Sequence, residues 1–325
     1  MARTELSVAI LTVAAGALAV GALSAQQNYK APRTAWGEPD LQGVWSSAAE
    51  QTVPFERDPQ YGERQFLTDA EFEQRLKRTE RQIESDNAEF DVETADTANA
   101  GAVGSATSPP PHWLERSETS RRTSSVIDPP NGRLPDMTTE GRQRASGVIP
   151  ALGNGPFDGP EQMSMWVRCV GRGVPTSVWP TVYNANTRIM QGPGYAAITY
   201  EMIHDTRVVP ISTAPHPGLK VRSYFGDSRA RWDGETLVVD VTNFNGRMPY
   251  RGSSDALHLV EKYHRIDRDT IRYEVTVEDP HTWTRPWTAA LDLRRQPAGM
   301  FEYACHEGNY SMLNILTGSR KADRR

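Results

Sequence analysis

Cysteine is nearly absent from this chain of 325 residues, which carries only Cys169 and Cys305. No CxxC pair exists to seed a zinc site, and none of the seven histidines, at positions 112, 204, 216, 258, 264, 281 and 306, falls in an HExxH pattern. Metal binding would need separated histidines to converge in space, so neither a metal nor a cofactor is expected. GxSxG, Walker and GxGxxG motifs are missing too, which removes local support for a hydrolase elbow, nucleotide hydrolysis and dinucleotide binding. A lyase or isomerase stays open, because it needs only a carboxylate or histidine with a shifted pKa in a dry pocket. A basic surplus is also lacking: 36 Lys and Arg face 41 Asp and Glu, for a net charge of -5, which argues against a nucleic-acid partner.

Long apolar runs are rare. The single clear one, Val8 to Leu23, follows Arg3, precedes small residues around Ala22-Leu-Ser24, and spans about 16 residues. A membrane-spanning helix needs roughly 20. Residues 1–25 therefore read as a cleaved export signal, placing the mature chain in the periplasm or outside the cell with no later membrane span. In an oxidising compartment Cys169 and Cys305 most simply form one disulfide, the sharper alternative being a nucleophilic thiol. No repeat of 20 to 50 residues is present, and residues 26–325 are expected to form a single β-rich domain.

Within that domain, "DLQGVWSS" reads as a short strand. "FLTDAEFEQRLKRTERQIES" reads as a helix, with Thr68 and Glu71 at capping-box spacing. Residues 86–122 are acidic, then small and polar, and are expected to be a flexible insertion. "RRTSSVIDPPNGRLPDMT" is turn-rich and expected to lie pinned across a sheet. From about Thr187 apolar residues recur with period two, the strand signature. "TRIMQ", "YAAITYEMIHDTRVVPI", "LKVRSYF", "TLVVDVTNF", "LHLVEKYHRI", "TIRYEVTVE", "WTAALDLRR" and "MFEYACHE" follow one another with short links such as Asp233-Gly234, "DRD" and "QPAG". This predicts a mainly β fold, an antiparallel meander that curls into a barrel or a strongly curved sheet and so hides its edges.

"DLQGVW" resembles the Gly-x-Trp opening strand of lipocalin and calycin barrels, and "RARWDGETLVVDV" with "LVEKYHRIDRDTIRYEVTVED" resembles their twisted hairpins. "DPPNGRLP", "GDSRARWDGETLVVDVTNF", "DPHTWTRPW" and "EYACHEGNY" are similar to a widespread family of exported bacterial proteins. The resemblance implies a calycin-like scaffold and brings no activity with it.

Candidate site residues follow from the expected strand faces. In "FEYACHEGNY" an extended chain puts Cys305 and Glu307 on one face and His306 on the other, so Glu307 is expected at the mouth of a pocket. In "TYEMIHDTRVV", Glu201, Asp205 and Arg207 share a face that either lines a polar interior or meets solvent. Arg229 and Arg231 suit a carboxylate or phosphate ligand, or else staple a hairpin with ion pairs. Trp283 and Trp287 offer an aromatic wall or belong to the core. The resulting expectation is a small, largely apolar or aromatic molecule bound in the barrel mouth through Trp283, Trp287, Arg207, Arg229, Arg231 and Asp205. The alternatives are a cofactor-free lyase, hydratase or isomerase using Glu307, Glu201 or His306, and an envelope structural or interaction protein.

Overall fold

The computed structural model describes residues 29–88, 114–115, 117–148 and 157–322. The expected signal peptide and most of the expected insertion lie outside the described residues. Ten strands form one antiparallel sheet: β1 (Gly43–Ser46), β2 (Val126–Asp128), β3 (Asn186–Gly192), β4 (Tyr195–Tyr200), β5 (Thr206–Pro210), β6 (Asp227–Asp233), β7 (Thr236–Thr242), β8 (His258–Asp267), β9 (Thr270–Glu278) and β10 (Trp287–Arg295). Their order is β5-β4-β3-β1-β10-β9-β8-β7-β6, with β2 added to β10. The two edges meet where Ile211 bridges Ala230 in parallel and the Ser212 amide donates to the Ala230 carbonyl at 3.0 Å, so the expected barrel is nearly closed.

Alternation drives this closure. Along β9, Ile271, Tyr273, Val275 and Val277 are buried, while Arg272, Glu274, Thr276 and Glu278 turn outward. Gly234, at φ 58, makes the tight β6–β7 turn that the Asp-Gly pair predicts. At the end with the tight hairpins, Trp45 is fully buried, with the Arg265 guanidinium 5.5 Å from its ring centroid. At the opposite end, where β4, β7 and β9 finish, Trp287 packs edge-on against Trp283 and Phe55 at 5.6 and 5.8 Å. The barrel interior is thus filled with side chains.

Among the described residues three α-helices lie outside the sheet: α1 (Asp69–Ala88), α2 (Thr139–Ser146) and α3 (Ser311–Ala322). The α1 capping box forms as predicted, the Glu71 amide donating to Thr68 Oγ1 at 3.4 Å and the Thr68 amide to Glu71 Oε2 at 2.8 Å. The turn-rich segment lies pinned on the sheet through β2.

Three strand expectations need correction. "YAAITYEMIHDTRVVPI" is a hairpin, β4 and β5, broken by a 3-10 turn at Met202–His204 in which Ile203 and His204 have φ of 67 and 48. Residues 219–225 form a loop held beside the end of β7, where Ser223 bridges Phe244, and Phe225 packs against the core. Residues 301–307 are not a strand, and α3 follows them. The cause of this last departure is edge occupancy: β9 holds one side of β10, while β1 and β2 hold the other. The sheet is accordingly two meanders, β3–β5 and β6–β10, joined by a strand from far upstream. Among the described residues no helix is long and apolar enough to cross a membrane.

Candidate functional site

Two cavities open at the barrel end where β4 and β7 finish, outside the plug of tryptophans. The smaller, about 620 Å³, is walled by Met163, Met165, Trp166, Tyr183, Met202 and Met248, with Arg172 among its lining residues. The larger, about 1210 Å³, is lined by Glu115, Glu201, Tyr303 and Glu307 and shares Trp166 and Tyr183 with the first.

Loops build both walls, and specific bonds hold them. The Cys169–Cys305 disulfide forms and ties two segments 136 residues apart. Glu201, almost fully buried, accepts from Asn186 Nδ2 at 2.6 Å and from the Phe301 amide at 2.9 Å, fastening the C-terminal loop to the barrel rim. The Tyr303 carbonyl lies 2.9 Å from His204 Nδ1, and Asn309 Nδ2 donates to the Val167 carbonyl at 3.2 Å.

The electrostatics of this end are set by desolvation. Burial lowers the Arg172 pKa to about 10, only partly opposed by Tyr183 and Tyr303. Burial raises the Tyr183 phenol, helped by its hydrogen bond to Tyr303. The Glu115 carboxyl is raised by burial and by nearby Glu201, against the Ala185 amide that donates to it at 3.2 Å. Asp205 is pushed up to about 6 by burial, and its Oδ2 has no hydrogen-bond partner.

The residues singled out from sequence scatter. Glu201 and Glu307 line the larger cavity, Glu307 being exposed. Because the segment is a loop, the expected facing of Cys305 and Glu307 away from His306 does not apply; the exposed His306 ring sits 6.2 Å from that of His204. Glu201, Asp205 and Arg207 do not share a strand face, since the turn at Met202–His204 comes between Glu201 and Asp205, and only Arg207 lies in β5. Arg207 points into the barrel and pairs with Glu261. Arg229 binds Asp227 at 2.9 Å on the outer surface, and Arg231 is exposed on the same strand. Trp283 and Trp287, at 2% and 0% exposure, are core.

Sequence reasoning passed over three features. Glu261 shares the inward face of β8 with Leu259 and Tyr263, so the period-two pattern already marked it. Arg172 lies in "CVGRGVP", and its flanking glycines were the only available signal. On the outer surface, His216 bridges Asp227 at 2.7 Å and Asp240 at 2.9 Å, while His258 continues the row from Asp240 at 2.9 Å to Glu278 at 3.3 Å. A third cavity, about 700 Å³, lies beside α1; two of its arginines, Arg57 and Arg75, donate to the carbonyls of Pro130 and Ser120.

Comparison with protein-family models, with curated proteins and with solved structures yields no match, which leaves site geometry as the ground for function.

Proposed function

We propose that this chain is an exported β-barrel protein that binds a small, largely apolar or aromatic molecule at the end of its barrel. The observation that carries this reading is the cavity of about 620 Å³ walled by four methionines, Trp166 and Tyr183. Its size falls within the range of small-molecule sites, roughly 300–1,000 Å³. Methionine's unbranched, polarisable side chain adapts to varied apolar shapes, which suits a binding wall. The ligand sits against the barrel's end and not within the barrel, because the interior is occupied by Tyr200, Tyr263, Tyr273 and the Arg207–Glu261 pair. The disulfide and the N-terminal apolar run support an oxidising compartment.

Fluorescence titration with the neutral apolar probe N-phenyl-1-naphthylamine tests the reading. Saturable one-site binding is expected, weakened at least tenfold in Met165→Trp, which fills the cavity, with the melting temperature unchanged. Absence of saturable binding, or equal binding by the variant, defeats it. Native mass spectrometry of protein purified from its own host would then show the mass of a retained ligand.

A second reading, cofactor-free acid–base catalysis of elimination, hydration or isomerisation, is favoured by one observation: the raised carboxyl of Glu115 beside Glu201 in the larger cavity. Both carboxylates accept hydrogen bonds, Glu201 from Asn186 and the Phe301 amide and Glu115 from the Ala185 amide, so it is the raised carboxyl that singles out Glu115. Mass spectrometry of a host metabolite extract checks this, comparing wild type with Glu115→Gln. A compound consumed by the first and spared by the second supports catalysis; an extract untouched by both removes it.

A further inference from the structure

We infer that Arg172 is a recognition point for a carboxylate, so that the methionine-walled cavity takes a monoanionic amphiphile, an apolar or aromatic body with a single acidic head. This rests on the binding reading above and names the ligand's class.

The backbone holds Arg172 close against the barrel end. A Cβ on Gly171 would stand 2.6 Å from both Asp205 Oδ2 and Phe225 Cζ, and one on Gly173 would stand 2.8 Å from Met248 Sδ. Gly173 also has φ of 76, a conformation that favours glycine. The two glycines let the chain approach the barrel closely, and the arginine between them lines the cavity.

What sets Arg172 apart is its lack of partners. The buried arginines among the described residues are provided for: Arg207 by Glu261, Arg122 by Asp292, Arg57 by Thr123 and the Pro130 carbonyl, Arg75 by the Ser120 and Arg122 carbonyls, and Arg265 by the Asp40 and Arg268 carbonyls. Among the described residues, Arg172 has no hydrogen bond and no ion pair, and Tyr183 and Tyr303 are the ionisable groups that act on it. The guanidinium is half-buried in the cavity wall with no counter-charge, and an incoming carboxylate would meet its fork through two parallel N–H···O bonds. The remaining charges in the lining are those of Glu161 and Arg247, both exposed, so the cavity is cationic by one unit and its deeper charge is positive.

Displacement of N-phenyl-1-naphthylamine by dodecanoate and by 1-dodecanol isolates the head group, since the two differ only there. Wild type is expected to bind the acid at least tenfold more tightly than the alcohol. In Arg172→Gln that preference disappears, while the alcohol binds within threefold of wild type, which shows that cavity and fold persist. Equal binding of acid and alcohol by wild type, or an acid preference that survives in Arg172→Gln, overturns the inference while leaving the binding reading intact. If the probe does not bind wild type at all, the binding reading fails and this inference fails with it.

Discussion

Arg207 and Glu261 meet inside the barrel through two hydrogen bonds of 2.8 and 3.0 Å, and the carboxylate has no solvent contact. Tyr263 and Tyr273 donate to the same carboxylate at 3.1 and 2.9 Å, so the charge is paired and hydrogen-bonded. Burial disfavours the guanidinium's charge, but Glu261 outweighs it and holds the Arg207 pKa well above its ordinary value. Removing one partner strands the other in a dry interior. Glu261→Gln is expected to lose about 3–5 kcal/mol in urea unfolding, whereas the double variant Arg207→Met/Glu261→Met recovers most of that loss. A single variant within about 1 kcal/mol of wild type would show that the pair is not desolvated as described.

The disulfide closes a long loop, and one of its cysteines, Cys305, lines the larger cavity. Chain-entropy reasoning puts its stabilisation at about 5 kcal/mol as a ceiling, with about 2–4 typical. The Cys169→Ser/Cys305→Ser variant should therefore unfold at lower urea. It should also bind the naphthylamine probe less tightly, because Met163, Met165 and Arg172 lie on the segment the bond anchors. Loss of stability without loss of binding would separate the staple from the site.

Asp205 gives the protein a pH dependence of known sign. Its carboxyl is raised from 3.8 to about 6 by burial, so the folded state holds a proton that the unfolded state has released. Stability should fall as pH rises from about 4 to about 6 and then level off. The full shift corresponds to about 3 kcal/mol, and partial solvent exposure reduces this to about 1 kcal/mol. Asp205→Asn is expected to gain roughly that amount at pH 7.5 and to flatten the profile in that window. A variant with unchanged slope would assign the dependence to another group.

Trp287 separates a core role from a ligand role. It touches Trp283, Phe55 and Tyr250 with ring centroids at 5.6, 5.8 and 6.1 Å and is fully buried. Trp287→Ala should cost about 3–5 kcal/mol through the void it leaves. Probe affinity at temperatures well below the variant's melting point should not change. A large fall in affinity with little loss of stability would make Trp287 a binding platform.

Much of the barrel is legible in the sequence. The alternation through Leu259, Glu261 and Tyr263, the Asp233-Gly234 turn and the Thr68–Glu71 cap are local patterns, and local patterns are written in consecutive residues. The same alternation misled at 219–225, where the chain makes a single bridge to Phe244, and at 301–307, where both sides of β10 are already held by β9 and by β1 and β2.

The sequence alone determined which residues of β6 to β10 turn inward, where those strands reverse, and that Cys169 had a single possible partner within the chain. Only tertiary structure decided that β1 enters between β3 and β10, that two tryptophans close the barrel, and that Arg172 faces a cavity without a carboxylate beside it. The physical reason is range: periodicity and turn chemistry act between near neighbours along the chain, whereas edge pairing and the partnering of a charge depend on what distant segments bring alongside.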